Sequence, residues 1–84
     1  MQINSSLDWH SVHSTLRSQI GRLPYNPDLT RMLNNISNMV SELSSHEVNA
    51  RRMNKMEYTK DKVDAINKAI DHLEKIILIA ELMK

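Results

Sequence analysis

Apolar residues recur along this chain at three- and four-residue steps, the period of a helix with one buried face. The first stripe is Trp9, Val12, Leu16, Ile20 and Leu23. Ser5 followed by Asp8 has the spacing of a capping box at the helix start. Gly21 stands where a left-handed stop costs glycine nothing. Together they predict a helix over about 6–20. Pro24 then forces Leu23 out of helical geometry. Asn26, Pro27 and Asp28 predict the next start: a capping amide, a proline at the first helical position and an acid at the positive end of the dipole.

The second stripe is Leu29, Met32, Leu33, Ile36, Met39, Val40 and Leu43, with Ala50, Met53 and Glu57 continuing its phase loosely. Glu47 and Arg51 have the spacing of an i,i+4 ion pair. Ser44 with Glu47 also has capping-box spacing, which leaves a break at 44–46 open. We read one helix over about 27–56, roughly 45 Å long.

The last helix, about 59–83, carries Val63, Ile66, Ala69, Ile70, Leu73, Ile76, Ile77 and Ala80 on one face, with the pairs Asp64–Lys68 and Asp71–Lys75 marking its wet side. Its end, KIILIAELMK, is apolar around most of the circumference. Such a segment must be covered on more than one side. Ile76, Ile77 and Ala80 are expected to meet the other helices, and Leu78, Ile79 and Leu82 to need another chain. We take Ile76, Ile77, Leu78, Ile79, Leu82 and Met83 as the candidate partner or dimer interface.

The fold class that follows is all-α: a three-helix domain built on a long helical hairpin, with residues 1–84 as one unit. Composition agrees, since the apolar load falls on Leu, Ile and Met, and Gly21, Pro24 and Pro27 all lie within one short break. A chain of 84 residues buries only about 60% of its unfolded surface. It has no cysteine to staple it, so self-association into a homodimer is the expected support.

Charge adds one feature. The net charge is +1, yet residues 51–62 hold five Lys or Arg against two Asp or Glu, a local +3. Arg51, Arg52 and Lys55 are candidate phosphate or lipid contacts, with Tyr58 as a stacking residue, although a solvated helix face explains the same run. No catalytic residue is assigned: a single glycine cannot build an oxyanion or phosphate loop, and no serine sits in a nucleophile elbow. His10 and His13 are spaced i,i+3 with no third ligand set nearby except Asp8, so no metal or other cofactor is assigned either. Met32, Met39, Met53, Met56 and Met83 suit either core filling or an adaptable groove. The N-terminus lacks the pattern of a secretory signal, and the longest apolar run, IILIA, is far short of the roughly 20 residues of a spanning helix. A cytoplasmic protein is expected.

The stretch DWHSVHSTLRSQIGRLPYNPDL, residues 8–29, resembles the rapid-lysis III family of cytoplasmic antiholins of T-even bacteriophages, and the likeness extends over nearly the whole chain. The resemblance implies a non-enzymatic phage protein in the cytoplasm of the infected bacterial host. It would bind the N-terminal cytoplasmic segment of the phage holin and delay lysis by stoichiometric capture. It carries no residue motif onto particular positions. The alternative from the residues alone is a small helical regulator that binds nucleic acid or the transcription machinery through 51–62. A third is weak peripheral contact of the same segment with anionic lipid.

Overall fold

A short 3₁₀ turn at Ser6–Asp8 leads into α1 (Trp9–Gly21), followed by α2 (Pro27–Met53) and α3 (Lys60–Leu82) in a computed structural model that describes residues 1–53 and 59–83. All described regular structure is helical. Each helix packs against the other two, within an envelope of 49 × 18 × 15 Å. The long dimension is set by α2, whose 27 residues span roughly 40 Å.

The three stripes meet as one core. Leu16, Leu43, Ile70 and Leu73 are fully buried, and Val12, Leu29, Leu33, Ile36, Val40, Ile66 and Ile77 surround them. Trp9, Ile20, Met32, Met39, Val63, Ala69, Ile76 and Ala80 pack on its margin. Burying one such Leu or Ile contributes about 1.5–3 kcal/mol. Residue pairs that share surface grooves fix how α2 and α3 lie. Pro27 and Leu29 border a groove with Ala80 and Met83. Met39 and Glu42 border another with Lys62, Ala65 and Ile66. The start of α2 therefore lies beside the end of α3.

The helix boundaries correct several expectations. The first helical stretch is a 3₁₀ turn before α1 proper, and Asp8 Oδ2 accepts from the backbone N–H of Asn4 at 2.8 Å and of Ser5 at 3.3 Å. Gly21 does not take a left-handed conformation and belongs to the helix. The end is closed by tight i→i−3 bonds, Arg22 N–H to the Gln19 carbonyl at 3.3 Å and Leu23 N–H to the Ile20 carbonyl at 3.1 Å. Pro24 then supplies the break that glycine was expected to make. At the start of α2, Asn26 Oδ1 accepts from the Asp28 N–H at 3.0 Å, the predicted cap. No break occurs at 44–46. The final residues of the expected second helix, 54–56, lie outside the described residues.

Three docking contacts among the described residues hold the segment before α1, and none was expected. The Met1 amino group pairs with Glu74 on α3 at 3.0 Å. Ile3 is 1% exposed and inserts into the core. The Asn67 amide on α3 clasps its backbone, accepting from Ile3 N–H at 2.7 Å and donating to the Ile3 carbonyl at 2.9 Å. Glu47, 6% exposed on α2, accepts the Ser6 N–H at 3.0 Å through one oxygen and the Ser6 hydroxyl through the other. The expected Glu47–Arg51 pair is therefore not formed, because both carboxylate oxygens face Ser6. Asp71 and Lys75 do pair, at 3.2 Å and mostly in solvent, whereas Asp64 and Lys68 form no ion pair.

Candidate functional site

The end of α3 separates the candidate interface residues. Ile77 is 3% exposed and belongs to the protein's own core, so it offers nothing to a partner. Ile76 and Ala80 are half-buried against that core. Leu78 and Ile79 are each 56% exposed, Leu82 77% and Met83 82%. The helical period explains the division, because Leu73, Ile77 and Ala80 share one face while Leu78 and Leu82 lie on the opposite one. Contiguous exposed apolar side chains at one helix end mark an association surface more often than scattered single ones do.

The loop between α1 and α2 extends that surface. Pro24, Tyr25 and Pro27 border the groove that also contains Ala80 and Met83, and Tyr25 is almost wholly in solvent.

On the other side of Tyr25 lies a cleft of about 660 Å³ between the end of α1 and the start of α2. Its floor is Ile20, Leu23 and Leu33, and its polar walls are His13, Arg17, Asn26, Thr30 and Asn34. The His13 ring is tilted on Trp9, with ring centroids 5.4 Å apart. The Arg17 guanidinium, the Asn34 amide and the Thr30 hydroxyl form no hydrogen bond or ion pair with described residues. No carboxylate lines the cleft. A guanidinium and free donors above an apolar floor suit an anionic group carried on an apolar body. The cleft was missed from sequence, although the signal was present: His13, Arg17 and Ile20 are spaced i, i+4, i+7 along α1, one line on the helix surface.

The basic candidates sit at the opposite end of α2. Arg51 and Arg52 are exposed in its last turn, where cations complement the negative end of the dipole. Lys55 and Tyr58 fall outside the described residues. The described part of this run continues with exposed Lys60 and half-buried Lys62. Of the methionines, Met32 and Met39 pack on the core and Met83 is exposed. The Met53 and Met56 side chains lie outside the described residues. His10, His46 and His72 are exposed. Among the described residues no group of three or more His, Cys, Asp or Glu is placed to hold a metal ion, and no helix is long and apolar enough to cross a membrane.

No protein-family model, curated protein or solved structure matches this chain.

Proposed function

We propose that this protein is a non-enzymatic interaction module, a long helical hairpin with a shorter first helix laid against it, that self-associates and captures a segment of another protein. The observation that carries this reading is the outward apolar end of α3, where Leu78, Ile79, Leu82 and Met83 are exposed and Met83 shares a groove with Tyr25. An amphipathic segment laid on such a surface buries its apolar face as in helix-in-groove recognition. The resemblance of residues 8–29 to the cytoplasmic antiholins supplies the identity of the partner. On that reading the chain works in the cytoplasm of an infected bacterium, binds the N-terminal cytoplasmic segment of the holin and delays lysis.

The test is direct titration of the full chain with the isolated cytoplasmic segment of the holin, followed by calorimetry. Saturable binding at about 1–50 µM, weakened at least tenfold by Leu82→Asp, is expected. No heat and no co-elution at these concentrations would refute the holin as partner.

A second reading is supported by exposed Arg51 and Arg52 at the far end of α2: a regulator that binds nucleic acid or the transcription machinery through 51–62. It requires DNA or RNA affinity that falls with salt, in proportion to the phosphates neutralised. Arg51→Glu with Arg52→Glu would abolish such binding and leave capture of the holin segment unchanged.

A further inference from the structure

The cleft between α1 and α2 and the outward end of α3 are complementary in chemistry. The cleft has an apolar floor of Ile20 and Leu33 and presents Arg17, beside His13, with no carboxylate among its described lining to neutralise the guanidinium. The end of α3 presents Leu78 and Leu82 with Glu81 beside them on the helix surface, all three exposed. The Glu81 carboxylate forms no ion pair or hydrogen bond with described residues. One surface therefore offers a cation above an apolar floor, and the other presents a carboxylate next to exposed Leu78 and Leu82, with Gln19, Glu74 and Lys75 also bordering Glu81.

Within one molecule they cannot meet. Glu81 and Leu78 border a depression with Gln19, on the α3 side of α1, whereas Arg17 and His13 border the cleft on its α2 side. Both lie at the end of the molecule where the α1–α2 loop stands beside the end of α3. Two surfaces that match each other but face apart in one chain are satisfied together by a two-fold axis, in which each protomer gives one and receives the other.

We infer that a second copy of this chain docks through this exchange: the Leu78–Leu82 end of α3 from each protomer seats in the α1–α2 cleft of the other, with Glu81 against Arg17. The inference rests on the self-association reading above and adds the surfaces and the pairing that hold the dimer. The exchange covers the outward face of α3 and supplies the cleft's unpaired guanidinium with a carboxylate. Charge pairing sets the register of the exchange.

The experiment is sedimentation equilibrium on the full chain and on three variants: Arg17→Glu, Glu81→Arg and the double charge exchange. Both positions are exposed, so circular dichroism of each variant should match the wild type and fold loss is separated from interface loss. The expected result is a wild-type dimer whose dissociation constant rises at least tenfold in each single variant and returns to within about threefold in the double variant, the signature of direct coupling. A wild-type monomer would overturn both this inference and the self-association reading. A dimer indifferent to either single reversal, or single losses that the double variant fails to restore, would overturn the exchange alone. Capture of the holin segment is measured separately on the monomeric single variants, so its failure is a different outcome.

Discussion

Removing the Asn67 amide tests whether the segment before α1 is part of the fold or merely rests on it. In Asn67→Ala, the acceptor of Ile3 N–H at 2.7 Å and the donor to its carbonyl at 2.9 Å both disappear. Each neutral bond contributes a net of about 0.5–1.5 kcal/mol, so the pair accounts for about 1–3 kcal/mol. Burial of the Ile3 side chain, 1% exposed, adds about 1.5–3 kcal/mol. Against these stands chain entropy of about 1–2 kcal/mol for each residue held, or about 4–8 kcal/mol for residues 1–4. The two sides are nearly balanced, so the clasp decides whether the segment stays down. Asn67→Ala should release residues 1–4 while the helices remain folded. Native-state hydrogen exchange should show the Ile3 amide losing its protection, with the Leu43 and Ile70 amides slowed almost as in the parent. Urea unfolding should show a loss of no more than about 2 kcal/mol, because released chain recovers entropy. An Ile3 amide equally protected in the variant would refute the reasoning. So would a collapse of the core amides together with it.

Gly21→Ala should stabilise the protein by about 0.5–1 kcal/mol in thermal melts. Gly21 is helical, its φ is not positive and an added Cβ meets nothing within 4 Å; destabilisation would show a left-handed conformation there after all. Ile77→Asp and Leu78→Asp are adjacent substitutions with opposite expected outcomes. The first buries a charge in the core and should abolish the cooperative far-UV transition. The second should leave the melt within about 1 kcal/mol of wild type while removing self-association, so equal effects would mean that the faces of α3 are misassigned. Glu47→Ala leaves the Ser6 N–H and hydroxyl without their acceptor, and should cost about 2–3 kcal/mol in urea unfolding. A loss below about 0.5 kcal/mol would mean water replaces the carboxylate.

The helices were legible because their stripes are long and regular. From Leu29 to Leu43 and from Val63 to Ala80, every stripe residue named from the sequence is buried or packed on the core margin. Ile3 was not legible. One apolar residue ahead of the first helix has no period, and its burial depends on an amide 64 positions away. Glu47 could have been found. It occupies the stripe slot between Leu43 and Ala50, both buried, and a charged residue in a core slot calls for a dedicated partner. The capping-box spacing of Ser44 and Glu47 pointed instead to a break, which the packing of α2 against both neighbours overrides. Helical phase alone separates the buried Ile77 from the exposed Leu78 and Leu82. The cleft was not legible, because its walls come from two helices whose separation is a tertiary property.

The end of α3 also shows why a three-helix chain leaves a surface of this kind. The positions Asp71, Lys75, Leu78 and Leu82 follow one line down the outer side of the helix. The line is charged and solvated as far as the Asp71–Lys75 pair, then turns apolar within one turn. Nothing on the buried face changes at that point, since Leu73, Ile77 and Ala80 continue against the core. Two neighbouring helices can cover roughly one side of a third, and α1 and α2 already do so. A helix apolar on both sides needs a further neighbour, and a chain of 84 residues has no fourth helix among its described residues to provide one. The switch between Lys75 and Leu78 is thus a boundary: above it the outer side of α3 is charged and solvated, and below it the same helix is apolar on its outer side as well as on its buried one.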